Sequence, residues 1–383
     1  MINASVAVLG LSLAISPAQT ARVPQSKAST PAEAGSTASI TSSFEQLSRS
    51  ADKARTENRD DEAIRLYERA LNLQPRWKEG LWYLSTILYE KELYANARDL
   101  LRRFVSQDSG AGPGWALLGM SEFQTREYSR SLDHLRHAMA LGMGGRKEMA
   151  QSVFYFVAVL RTRFEQFNES TSLLIAMVKS GQQPDLLVEP LGLAALRMPL
   201  LPAEIPADRR DMIRMAGQGA LALEAQRQEE AQRLFSGLVT AYSHEPGVHF
   251  LYGAFLLDVR PEDGVAEMRR ELQVSPFHVP ARLRLAEEYV KEERPDEALP
   301  LVQEAIRIEP GHAPARMMLG EVLIAKGDLT GGIRELEAAE RGAPQTVRIH
   351  WDLLRAYAAA GRSDDAMREK EEIEKLNRSD AGH

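Results

Sequence analysis

One helical pattern recurs along this chain at a spacing of 34 residues, and few folds tolerate such a rhythm. The stretch Asp60 to Pro75 (DDEAIRLYERALNLQP) returns as Pro295 to Pro310 (PDEALPLVQEAIRIEP). Units start at Phe44, Lys78 and Gly112, again at Met212, and then at Val279, Ala313 and Val347. Position 8 of these units holds Ala51, Ser85, Gly119, Gly219, Ala286, Gly320 and Leu354. Position 20 holds Ala63, Ala97, Ser131, Ala231, Ala298, Gly332 and Ala366. Position 24 is larger, with Tyr67, Leu101, Leu135 and Phe235. A fixed period of this length is the mark of a stacked array rather than a compact single-core domain.

Each unit reads as two amphipathic helices of about three turns, split by a short polar turn such as Asn58-Arg59-Asp60 or Lys326-Gly327-Asp328. Small residues at positions 8 and 20 let the paired backbones approach, and the larger residue at 24 is expected to fill the gap to the next hairpin. Pro75, Pro310 and Pro344 stand at position 32, where the missing amide hydrogen ends the second helix. Asp61, Glu62, Asp296 and Glu297 fall at second-helix starts, where negative charge favours the dipole.

These residues resemble the tetratricopeptide repeat. Trp115-Ala-Leu-Leu118-Gly119 is similar to the W-x-x-L-G start of that motif, and Leu319-Gly320 with Ala298, Ala305 and Pro310 fits further on. The resemblance covers most of residues 44–380, as about nine units. It implies an all-α, right-handed solenoid of helical hairpins that binds protein or peptide, without a cofactor. Two positions depart from the pattern: Glu122 stands where an aromatic is wanted, and Glu271 falls at position 27 of a unit whose turn is one residue short.

The middle breaks the rhythm. A fourth hairpin near residues 151–184 arrives five residues late, after Gly142-Met143-Gly144-Gly145. Residues 186–198 read as a first helix with no partner, followed by Pro199-Leu-Leu-Pro202-Ala-Glu-Ile-Pro206. Three prolines exclude a regular helix, so an irregular strap is expected to pack through Leu200, Leu201 and Ile205. The domain reading is therefore an N-terminal array of four hairpins (44–184), a single helix plus strap (185–206), and a C-terminal array of five hairpins (207–380).

Upstream, residues 4–18 (ASVAVLGLSLAISPA) form an uncharged apolar run with small residues before Gln19, as in a secretory signal, although no Lys or Arg precedes it. Residues 1–18 are read as that signal and 19–43, rich in Ser, Thr, Ala and Pro, as a disordered linker. Periplasmic or secreted location of a bacterial protein follows, with a cytoplasmic, co-chaperone-like adaptor as the alternative. No stable membrane span is expected once the run is removed.

Chemistry is sparse. With no Cys, thiolate ligands and nucleophiles are excluded. A net charge of −7 without basic runs argues against nucleic acid. Gly142–Lys147 lacks the strand and hydroxyl of a phosphate loop and reads as a helix C-cap. His134 and His137 have ligand spacing but read as a solvated pair. No catalytic, cofactor or metal set is singled out, so the chain is not read as an enzyme; a targeting subunit of a separate enzyme is an alternative. Positions 2, 5, 9, 12 and 13 should line the concave face. They place Trp82, Tyr89, Phe123, Tyr155, Phe250, Met317, Trp351 and Arg355 there as candidate protein-binding residues, anchors rimmed by charge. The Lys and Asn of a chaperone-tail clamp are missing: Ser48, Asp52, Tyr83 and Leu117 stand at the corresponding places.

Overall fold

The computed structural model describes residues 31–380, and every regular element among them is helical. The described chain divides into two compact units, one ending at Asp208 and the other beginning at Arg209. The first unit holds α1 (Pro31–Thr56), α2 (Asp60–Leu73), α3 (Lys78–Glu90), α4 (Tyr94–Gln107), α5 (Gly112–Gln124), α6 (Tyr128–Leu141), α7 (Lys147–Arg163), α8 (Phe167–Lys179) and α9 (Pro184–Ala195). The second holds α10 (Arg210–Glu224), α11 (Gln228–Tyr242), α12 (Val248–Val259), α13 (Pro261–Val274), α14 (Val279–Lys291), α15 (Pro295–Ile308), α16 (Ala313–Ala325), α17 (Leu329–Gly342), α18 (Val347–Ala359) and α19 (Ser363–Asp380). Consecutive helices pair as antiparallel hairpins, four in the first unit before the unpaired α9 and five in the second.

One turn makes eight of these hairpins. The residue at position 15 is left-handed in each: Asn58, Glu92, Arg126, Glu165, Gln226, Glu293, Gly327 and Gly361. The amide after it donates back to the carbonyl five residues earlier, as in Arg59 N to Ala54 O (2.8 Å), Glu127 N to Glu122 O (2.8 Å) and Arg362 N to Tyr357 O (2.9 Å). This is the Schellman closure, which satisfies orphan carbonyls and reverses the chain. The exception is α12–α13, joined by the single residue Arg260. Helix α9 ends on the same closure, with Arg197 left-handed and Met198 N bonded to Leu193 O (2.9 Å), but no second helix follows. Pro199, Pro202 and Pro206 stop it, leaving short 3-10 turns at Pro202–Glu204 and Ala207–Arg209. Leu201 and Ile205 are buried, while Leu200 is only half so. Arg163 Nη1 donates to Pro199 O at 2.8 Å and so ties this stretch to α7.

The hairpin crossings explain the small residues. A Cβ on Gly119 would lie 2.6 Å from Leu135 Cγ; on Gly219 it would meet the Phe235 ring, and on Gly320, Leu336. The large residue at position 24 thus leans on position 8 of its own hairpin and also reaches the next one, as the sequence reading expected: Tyr67 lies 6.3 Å from Tyr83 of α3 and Phe235 5.6 Å from Phe255 of α12. Ser at position 20 adds a bond across the same crossing: Ser131 Oγ to Gly119 O (2.7 Å) and Ser170 Oγ to Ala158 O (2.8 Å). The cores are strings of such contacts, running from Ala51 through Tyr67, Leu101 and Leu135 to Leu160 in the first unit.

One boundary differs from expectation. Residues 31–43, read as disordered linker, continue α1 upstream of Phe44. Pro31 at the first helical position with Ala and Glu after it is a helix start, and the stretch holds one isolated Gly and no further Pro. The signal-like run at 4–18 and the linker as far as residue 30 lie outside the described residues.

Candidate functional site

In the first unit, the first helix of the second hairpin turns two aromatics toward the surface. Trp82 is half-buried on α3, its ring 5.5 Å from Phe104 of α4, and Tyr83 lies beside it. Together with Pro113 they wall a cleft of about 400 Å³. Its rim carries charges of both signs, Lys78 and Arg146 against Glu79 and Asp108. Arg55 covers the outer face of Tyr83 at 4.0 Å, which fixes that wall. Phe123 and Tyr155 are also half-buried but lean on Phe156, at 4.6 and 5.8 Å. Burial pushes the Tyr155 hydroxyl up to about 12, so it acts as a neutral donor.

Tyr89 does not belong to this surface. It is 5% exposed and packs edge-on to Tyr94 at 5.2 Å. Position 12 is covered there by Tyr94, the first residue of α4. Met317 is a second correction: it is 8% exposed and sits in the core with Leu336 and Leu353.

The second unit has a different cleft, of about 480 Å³, between α16 and α18. Ile324, Leu329 and Ala356 form its apolar side, and Glu321, Arg348 and Asp352 its polar side. Arg348 reaches Glu321 at 3.0 Å and Glu287 at 3.5 Å. Burial outweighs this pairing and, with the adjacent Asp352, pushes the Glu321 carboxyl up to about 7. Asp352 Oδ2 is buried without a hydrogen bond. Arg355 is largely exposed and pairs with Asp352, and Trp351, at 48% exposed, is the most open of the candidate aromatics. Phe250 is half-buried and packs on His278 at 4.7 Å.

A polar device that sequence reasoning missed links positions 4 and 23 of the repeats. His249 Nδ1 bonds Glu267 (2.5 Å) and its Nε2 bonds Ser243 O (3.0 Å). Arg316 likewise reaches Glu335 (3.1 Å) and Pro310 O (3.2 Å), and His350 reaches Glu369 and Pro344 O, both at 2.8 Å. Trp115 follows the same path, donating to Ser109 O (2.9 Å) and stacking on His134 (5.0 Å). The side chain at position 4 thus ties the entering loop to the second helix. A signal was available: polar residues recur at position 4, three with an acid 18 or 19 residues later. His134 is accordingly not a solvated histidine. It bonds the fully buried Glu122 at 2.6 Å, and Arg102 reaches the same carboxylate at 2.9 Å. The buried Glu271 has a similar task, accepting from the backbone amides of Gly247 (2.8 Å) and Phe250 (3.1 Å) at the start of α12.

Among the described residues no helix is long and apolar enough to cross a membrane. A comparison with curated proteins finds no match. Several solved structures match over less than half of the chain. They include a MamA RS-1 ArsTM double mutant (20% identity, 44% of this chain and 96% of that one, TM-score 0.40) and a crystal structure of MamA (18%, 43% and 97%, TM-score 0.38). MamA 41-end from Desulfovibrio magneticus RS-1 is similar at 22% identity, over 43% of this chain and 94% of that one, with TM-score 0.37. Two family models match the sequence, over residues 50–113 and 289–350, one in each compact unit, and both describe the tetratricopeptide repeat, typically a non-catalytic scaffold for protein interaction.

Proposed function

We propose that the chain captures a polypeptide segment on the exposed aromatic faces of its first helices, with the Trp82 cleft as the main seat in the first unit. The observation that carries this reading is the cleft itself. A rigid, half-exposed indole over Phe104 and Pro113 offers an anchor for one or two apolar side chains. The mixed rim of Lys78, Arg146, Glu79 and Asp108 offers polar register without favouring polyanions. In the second unit Trp351 and Arg355 give a more open surface of the same kind. The chain acts as a scaffold and not as a catalyst.

The test compares wild type, Trp82→Ala and the rim reversal Lys78→Glu/Arg146→Glu as baits in host lysate, with helix content and melting checked for each. Capture of a defined protein by wild type, lost in both variants at unchanged fold, supports the reading. Identical capture by all three would place binding elsewhere. Export belongs to the same proposal: residues 1–18 act as a secretory signal, so the mature chain from the native host should begin at Gln19 by mass spectrometry. A mature start at Met1 or Ile2 would make it a cytoplasmic adaptor.

A further inference from the structure

The last of the position-4 ties differs from its counterpart in one respect. His350, on the first turn of α18, is 1% exposed and held at both ring nitrogens. Its Nε2 faces Pro344 O at 2.8 Å; a carbonyl can only accept, so Nε2 carries the hydrogen. Nδ1 then faces Glu369 Oε2 at 2.8 Å, lone pair toward carboxylate, and something positive must lie between them. His249 and Glu267 share this two-bond geometry, with Ser243 O in the place of Pro344 O.

At His350 a third donor joins. Glu340, near the end of α17, brings a carboxylate oxygen into the group, and the three donor atoms lie within 4.8 Å of one another. It is the one such cluster of ligating groups found among the described residues. No hydrogen bond or ion pair holds Glu340 elsewhere among them, although burial and Glu369 both work against its negative charge. A single proton on His350 neutralises one carboxylate and leaves the other. A divalent ion neutralises both.

We propose that Glu340, His350 and Glu369 form a three-ligand site for a divalent transition-metal ion of the zinc class, which staples α17, α18 and α19 together. One imidazole nitrogen with two carboxylate oxygens suits zinc better than calcium or magnesium, which prefer all-oxygen shells. Bonds of about 2.0–2.2 Å set tetrahedral ligand atoms roughly 3.4 Å apart, so Glu340 has only to swing inward and the Glu369 contact to open slightly. Pro344 O plays the orienting part usual behind a ligating histidine, fixing the tautomer that leaves Nδ1 free for the ion. Water completes the shell.

The experiment uses the full chain without an affinity tag, stripped with EDTA, and titrated with Co²⁺ for its visible absorption and with Zn²⁺ against a chromophoric chelator. The proposal expects one saturable site per chain and a higher melting temperature with metal. Glu340→Gln removes a ligand that the metal-free fold does not use. It should weaken binding at least about tenfold without lowering the metal-free melting temperature. Glu267→Gln, in the sister tie, should leave metal affinity as in wild type. Absence of a one-to-one site in wild type at tens of micromolar metal, or undiminished binding by Glu340→Gln, would overturn it.

Discussion

Single residues that break the repeat pattern prove to be placed by identifiable polar needs. Glu271 is fully buried where a core residue is usual, because the one-residue turn before α13 shifts the frame and α12 lacks a local cap. Its carboxylate takes two amides that would otherwise be stranded, so Glu271→Ala should cost about 2–4 kcal/mol in urea unfolding and Glu271→Gln markedly less. A loss no larger than at an exposed site would mean water replaces the cap. Arg282 is the opposite case. It occupies position 4, but Leu301 stands at position 23, and two of its guanidinium nitrogens are buried without partners. Burial holds its pKa below the ordinary arginine value. Arg282→Leu would restore the apolar pairing seen at Leu81 and Leu100, and should stabilise by about 1 kcal/mol. Glu321 supplies a pH test. Its folded pKa, about 7, lies above the ordinary 4.5, so the folded chain keeps a proton that the unfolded chain has lost. Stability therefore falls as pH rises from about 4.5 to about 7. Glu321→Gln should melt above wild type at pH 8, with the gap closing by pH 4.5; a pH-independent gap would assign the effect to packing.

At the scale of elements, the hairpin is set more by its turn than by its helices. Six of the eight left-handed turn positions carry side chains: Asn58, Glu92, Arg126, Glu165, Gln226 and Glu293. Each bears the steric cost of that conformation, which glycine at Gly327 and Gly361 avoids. Glu293→Gly should then stabilise by about 0.5–1 kcal/mol despite the greater freedom of the unfolded glycine, read from the urea midpoint at unchanged slope. The sequence revealed these hairpins through the small residues at 8 and 20, whose demand for close backbone approach is a steric fact independent of neighbours. Tyr89 was not legible. Whether position 12 faces outward depends on what packs over it, and Tyr94 does so from the next helix. The position-4 ties were half legible: the acid 18 or 19 residues on was a signal, but each tie also needs a loop carbonyl that no periodicity marks. Residues 31–43 show the converse: a composition poor in large apolar residues still continues a helix once Pro31 starts it.

Across the whole molecule, contacts are nearest-neighbour. Each helix meets chiefly its hairpin partner and the adjacent repeat, as α16 does with α17, α15 and α14. Stability in such an array is a sum of local terms, and damage should travel only as far as the neighbouring interfaces carry it. Gly320 tests this. An added side chain would strike Leu336, with Gly332 O also within 3.0 Å, so Gly320→Leu must push α16 from α17 at a cost of about 1–3 kcal/mol or more. Hydrogen exchange should then speed up in α16 and α17, less so in α14, α15, α18 and α19, and stay unchanged in α1 to α8. The chain up to Asp208 and the chain from Arg209 onward form two compact units, and the core clusters around Tyr67, Met318 and Leu336 each lie inside one of them. Were protection to fall uniformly from α1 to α19, the chain would unfold as one cooperative body, and the repeats would be units of sequence but not of stability.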